Sequence, residues 1–319
     1  MKAAIVQSYD APPVFGDFDD PAPTAEENLI RVTAAGLHPI VRSLANGTHY
    51  GSAGVLPFVP GVDGVGTLQD GKRVYFAGPR SPFGTLSELA VAAKDMCLPL
   101  PEALDDAHAA AIANPGMSSW AALTHRAKFQ SGESILILGA TGAAGTLAVQ
   151  IAKRMGARRI VGAGRNPEAL KEILTLGADE TVSLDQSPEE LEENFRRILN
   201  DNEIDVVLDY LWGAPAEAAL KAVKQKGLSH TARRIRFVQI GSSAGKEIAL
   251  AADLLRSSGL ELIGSGFGSV PIAKIMVSVG ELFEEAARKP FTHELESVPL
   301  SDVTRAWTEK SEKRIVFRP

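Results

Sequence analysis

The sequence predicts an α/β fold in which a doubly wound parallel sheet follows a β-rich first half. Two observations predict it. From Ser134 onward, short apolar runs alternate with stretches of helical periodicity, and that alternation calls for a parallel sheet with helices on both faces. Before about residue 110 the runs are short and irregular, broken by Pro, Gly and Asp, which is the texture of turns between strands.

In chain order, KAAIVQ, NLIRVTAAG, GVGTL, KRVYFAG and SELAVAA read as the strands of the first half. In the second half SILIL, RRIVGA, ETVSL, DVVLD and RIRFVQI are strand-like. Between them GTLAVQIAKRMG, PEALKEILTLG, SPEELEENFRRILN and APAEAALKAVKQKG carry helical spacing, and most end in Gly. The start of SPEE is well marked: Ser187 as cap, Pro188 at the first helical position, and acids in the first turn. After ELIGSGFG, the helix-like VPIAKIMVSVGELFEEAARKP leads into a tail of different texture, HELESVPLSDVTRAWTEKSEKRIVFRP.

The bulk properties are those of a globular protein with room for two domains: 319 residues, 45% hydrophobic and 23% charged. A net charge of -6 and the lack of a dense Lys/Arg run argue against a nucleic-acid partner. No stretch of eighteen apolar residues suggests a membrane span, and MKAAIVQSYDAPP lacks a signal-peptide core, so a cytoplasmic location is expected. Cys97 is the only cysteine, which excludes an internal disulfide and a Cys-rich metal lobe.

The chemistry is densest in ILILGATGAAGTLAVQIAK, where Ala140-x-Gly142-x-x-Gly145 lies between a predicted strand and a predicted helix. With Thr141, Ala143 and Ala144 these residues form a loop suited to a pyrophosphate. Gly142 permits close backbone approach, Gly145 lets the helix pack on the strand, and the helix N-terminus supplies N–H groups. A nucleotide-hydrolase loop is excluded because Thr146, not Lys, follows Gly145. The loop also resembles that of short-chain dehydrogenases, but none of Tyr9, Tyr50, Tyr75 or Tyr210 has the Lys four residues on that those enzymes use. At the end of the second strand an NAD site usually carries an acid for the ribose hydroxyls. Here Gly164, Arg165 and Asn166 stand instead; the carboxylate is missing and a guanidinium suited to phosphate oxygens is present, which points to NADPH.

Further motifs resemble the medium-chain dehydrogenase/reductase superfamily, in particular its zinc-free quinone oxidoreductase branch. Ala35-Gly36-Leu37-His38-Pro39 is similar to that branch's A-x-G-V-N-P, and LPFVPGVDGVG (56–66) to its L-P-x-x-P-G-x-D-x-x-G. Gly71-Lys72-Arg73-Val74 is similar to G-D-R-V, and DVVLD (205–209) and the closing KRIVFRP match in place and order. The resemblance implies a GroES-like catalytic domain over residues 1–112, a Rossmann dinucleotide-binding domain over 113–268, and a segment, 269–319, that returns to the catalytic domain. It also implies a homodimer joined sheet edge to sheet edge near ELIGSGF. The places of the catalytic zinc ligands fall at His38, Val62 and Asn114, and the alcohol proton relay at Ile40, so no metal is expected.

The activity implied is hydride transfer from NADPH to a small quinone or α,β-unsaturated carbonyl substrate; an enoyl-thioester reductase or a low-turnover NADPH-binding protein are the alternatives. Candidate catalytic residues are His38, in place of the branch's Asn, Tyr50 in GTHYG as a phenol donor, and Asp63 as a group orienting His38. Ser118 matches a Thr that the family sets near the nicotinamide. Gly241 with Ser242, and Gly264, Ser265 and Gly266, resemble the loops that hold its carboxamide. His108, His125, Cys97 and the three Trp residues read as structural, and PEELEEN as a solvated helix face. Val41, Ala45 and a shortened Asp63–Val74 segment depart from the family pattern around the substrate pocket.

Overall fold

The computed structural model describes residues 1–49, 51–52, 55–224, 233–309, 311 and 313–319. The chain divides into two compact units, Met1–Pro115 with Val279–Pro319, and Gly116–Ser278. The expected divisions, after 112 and after 268, thus lie three and ten residues ahead of the observed ones, because both crossings fall inside helices that the sequence does not mark as boundaries.

In the first unit β1 (Lys2–Ile5) pairs antiparallel with β2 (Val14–Asp17). β3 (Glu27–Gly36) is followed by α1 (Pro39–Ala45), which begins with Pro at its first position behind His38. β4 (Asp63–Leu68), β5 (Arg73–Ala77), β6 (Leu89–Ala93) and β7 (Cys97–Pro99) complete this part, before α2 (Asp106–Ala121). Alternation decides which face of β3 turns inward: Ile30, Val32 and Ala34 are buried while Arg31 between them is exposed.

The second unit alternates as the sequence predicts. Its elements are β8 (Ser134–Leu138), α3 (Ala143–Arg154), β9 (Arg159–Gly164), α4 (Pro167–Leu176), β10 (Glu180–Ser183), α5 (Pro188–Asp201), β11 (Val206–Asp209), α6 (Gly213–Val223), β12 (Arg234–Gln239), α7 (Ala252–Arg256) and β13 (Gly259–Gly264). The six strands are all parallel in the order β10-β9-β8-β11-β12-β13. Every residue of β8 is buried, as a central strand covered on both faces requires, and its sequence is correspondingly apolar. Leu191, Phe195, Ile198 and Leu199 recur at helical spacing on α5 and join a core with Leu136, Val207 and Phe237 of the sheet. Ser187 and Glu190 form the reciprocal capping pair that starts this helix.

The sheet order has a functional corollary. The chain builds outward from β8 to β10 and then returns to β11 on the other side, so a crevice opens at the carboxyl ends of β8 and β11.

The remaining elements are α8 (Ile272–Arg288), β14 (Leu295–Pro299), α9 (Val303–Thr308) and β15 (Arg314–Arg318). β15 pairs parallel with β14 and antiparallel with β3, which makes the end of the chain part of the sheet formed by its beginning. Among the described residues no helix is long and apolar enough to cross a membrane.

Candidate functional site

The glycine-rich turn joins β8 to α3. Gly139 takes φ +86, a left-handed conformation that a residue without Cβ adopts readily, and its N–H and that of Ala140 both donate to Ala163 O at 2.9 Å. The turn is therefore pinned to β9. At Gly145 a Cβ would lie 2.1 Å from Gly139 O and 2.6 Å from Ala140 Cα, so the helix approaches the turn as closely as a glycine allows. Gly142 differs: its φ of -83 suits any residue, and a Cβ there would meet only Gly139 O, at an ordinary 3.6 Å. Nothing within the unit demands glycine at 142, which leaves space for a group approaching from outside.

Gly142 caps α3 without a side-chain hydrogen bond, and the first-turn N–H groups of Ala143, Ala144 and Gly145 have no intrahelical acceptor. Such a helix start, open at Gly142 and positive by its dipole, fits the pyrophosphate of a dinucleotide. Gly139 itself is the residue the spacing argument passes over; its signal is the first letter of GATGAAG.

At the end of β9, Gly164 is buried under Thr141, and a Cβ there would stand 2.4 Å from Thr141 Cγ2. Arg165 is exposed and has no hydrogen-bond or ion-pair partner among the described residues. Asn166, expected at the cofactor, also starts α4: its side-chain oxygen accepts from the N–H groups of Glu168 and Ala169 at 2.9 and 3.3 Å.

A turn the sequence reading missed closes the other side of the crevice. Asp209, fully buried at the end of β11, accepts hydrogen bonds from Leu211 N at 2.8 Å and Trp212 N at 3.0 Å. Burial pushes its carboxyl up to about 6, against the opposing pull of those two N–H donors. They hold Trp212 at φ +55, an unfavourable conformation for a bulky residue. Leu211 in turn packs over Gly139, where a Cβ would meet its Cδ2 at 3.0 Å. Gly241 N donates to Asp209 O at 3.1 Å, and Ser265 N to Gln239 O at 2.8 Å. Ser242, Gly264 and Gly266 are exposed beside them, and Arg126 Nε donates to Gly264 O at 2.7 Å. Ser118 lies with Ser119 against the Tyr210 hydroxyl, whose phenol burial pushes up to about 12. The unit-two candidates thus gather at the carboxyl ends of the parallel strands, with Ser118 reaching them from α2 beside Tyr210.

In the first unit, His38 and Asp63 do come together, but in the interior. They are 0% and 4% exposed, with His38 Nε2 3.3 Å from Asp63 Oδ1, at ion-pair distance. Tyr75 OH donates to Asp63 Oδ2 at 3.0 Å, and burial, with the adjacent carboxylate, raises that phenol well above its usual value. The diagonal placement of Asp63 and Tyr75 follows from the β4–β5 register, in which Val65 faces Tyr75. Gly36 gives the imidazole its room, since a Cβ there would lie 2.6 Å from the ring. His38, expected to face a substrate, has no exposure in this structure, and its ring lies against Asp63. Tyr50 lies outside the described residues. Among the described residues no group of three or more His, Cys, Asp or Glu side chains could hold a metal ion.

Comparison with known proteins adds to this geometry. The family model described as zinc-binding dehydrogenase matches residues 143–282. A probable NADPH-dependent quinone reductase of Emericella nidulans is 28% identical over 362 aligned positions, covering 100% of both chains. The quinone oxidoreductase of Homo sapiens is 29% identical, over 78% of this chain and 75% of its own. Among solved structures, the quinone oxidoreductase of Thermus thermophilus, known also in complex with NADPH, superposes with a TM-score of 0.78 at 26% identity over 100% of both chains.

Proposed function

The chain belongs to the medium-chain dehydrogenase/reductase superfamily, in its quinone oxidoreductase-like branch, and is an oxidoreductase; from that premise we propose that it oxidises NADPH and reduces quinones or α,β-unsaturated carbonyl compounds without a metal ion. One observation carries the reading. The glycine turn opens beside Gly164 and the free Arg165, where an acid would repel a 2′-phosphate and a guanidinium attracts it.

Bound NADPH supplies the hydride. The first-turn N–H groups of α3 hold the pyrophosphate, Arg165 the 2′-phosphate, and the backbone of Gly241, Ser242 and Gly264–Gly266 the carboxamide. Ser118 lies beside the Tyr210 hydroxyl. The residues at the places of a zinc site support metal-free chemistry, since Val62 has no lone pair to give and His38 is turned against Asp63. Acceptors that need no Lewis acid fit such a protein, and the negative charge that develops on their oxygen requires a hydrogen-bond donor. Tyr50 is the side chain we assign to that task. His38, Asp63 and Tyr75 brace β3 against β4 and β5. The outer edge of β13 carries no strand among the described residues, and we assign it to the contact of a homodimer.

The test is NADPH consumption, followed by its absorbance, with a panel of benzoquinones, naphthoquinones, enones and enoyl thioesters. Turnover with a quinone or enone, slower with NADH, is expected. NADPH bound tightly with no acceptor reduced would replace the enzyme by a binding protein.

A further inference from the structure

Gly164 and Thr141 are 23 positions apart, and nothing in their sequence neighbourhoods links them. In the structure they touch. A Cβ at Gly164 would lie 2.4 Å from Thr141 Cγ2, 2.6 Å from Oγ1 and 3.1 Å from Cβ, whereas carbon atoms in contact favour roughly 3.5–4.0 Å. Rotation of Thr141 relieves only part of this, because the Cβ it turns about stays 3.1 Å away, closer than ordinary contact. Nor is its backbone free to withdraw. Ala140 N donates to Ala163 O at 2.9 Å and Gly142 N to Gly139 O at 3.2 Å, and Ala140 is fully buried over Gly162.

Position 164 is where an acid reaches the ribose hydroxyls of an unphosphorylated dinucleotide. We propose that Thr141 is a specificity-determining residue: its side chain fills the space over Gly164, so that no acid can stand there while Thr141 remains, and the pair together sets the choice of NADPH over NADH. This rests on the NADPH reading above. It differs from an assignment to Gly164 or Arg165 alone, because it requires that an acid introduced at 164 be rejected by packing before charge is considered.

The experiment compares wild type, Gly164→Asp, Thr141→Gly and the double variant by thermal melting without ligand and by fluorescence titration with NADPH and NADH. Gly164→Asp is expected to melt lower and to bind both coenzymes at least ~10-fold more weakly; adding Thr141→Gly should raise the melting point again and improve NADH binding ~10-fold over the single variant. Gly164→Ala with and without Thr141→Gly repeats the melting comparison with a single added carbon, and Thr141→Gly should again recover stability. Additive melting shifts in that series, or a Gly164→Asp variant that melts like wild type and gains NADH unaided, would overturn the proposal. Wild type that binds neither coenzyme sinks the NADPH reading itself, and this inference with it; wild type that binds NADPH while the melting shifts add sinks only the Thr141 assignment.

Discussion

Asp209 is a carboxyl kept from water to hold a strained tryptophan in place. Its folded value, about 6, lies above its ordinary value of 3.8, so between these two pH values the folded state binds more protons than the unfolded one. Stability therefore falls as pH rises through that window and stays reduced above it. Asn at 209 keeps an oxygen for Leu211 N and Trp212 N and carries no charge. Asp209→Asn should leave stability at pH 4 nearly unchanged and add about 1–3 kcal/mol at pH 7.5, measured by urea unfolding at both pH values; equal effects at the two would remove the linkage. His38 shows the limit of residue-level reading. Its residue type was legible, but an imidazole has the same letter at a surface and in a core, and its burial depends on Asp63, Tyr75 and Gly36, which meet only after β3, β4 and β5 have paired.

Elements were legible where backbone chemistry alone dictates the residue. The β8–α3 turn needs glycine for conformation at 139 and for closeness at 145, and the start of α5 needs an oxygen cap; each leaves a mark in the local sequence. The Asp209–Gly213 turn left none that could be read in isolation, because it is shaped by Leu211 lying on Gly139 from a strand formed about seventy positions away. The last two glycines of the β8–α3 turn separate folding from binding. Gly145→Ala places a carbon against Gly139 O and should cost about 1–3 kcal/mol together with NADPH affinity. Gly142→Ala has room within the unit, so thermal melting should barely move while NADPH binding weakens ~10-fold in titration calorimetry. A large melting shift for Gly142→Ala would mean that the glycine serves the fold.

At the scale of the molecule, one unit is continuous in sequence and the other is assembled from both ends of the chain. The texture change at Ser134 revealed the first of these and the family resemblance implied the second; the helices that cross between the units hide only the exact boundaries, since a helix has the same periodicity on either side of one. Val316 and Phe317, fully buried on β15, cover Gly36 and Ala35 of β3. Removal of the residues after Pro290 should strip amide protection from β3, β4 and β5 in hydrogen exchange while β8, β9 and β11 keep theirs. Uniform loss in both sets would make the chain a single cooperative body. The placement of β15 also has a consequence for synthesis. The opening strands leave the ribosome with the Ala35–Gly36 end of β3 unpaired until β15 is made, roughly 10–40 s later at ordinary elongation rates. Throughout that interval a nascent chain offers an unfinished sheet to any neighbour with a strand to lend, and a holdase chaperone is the natural guard.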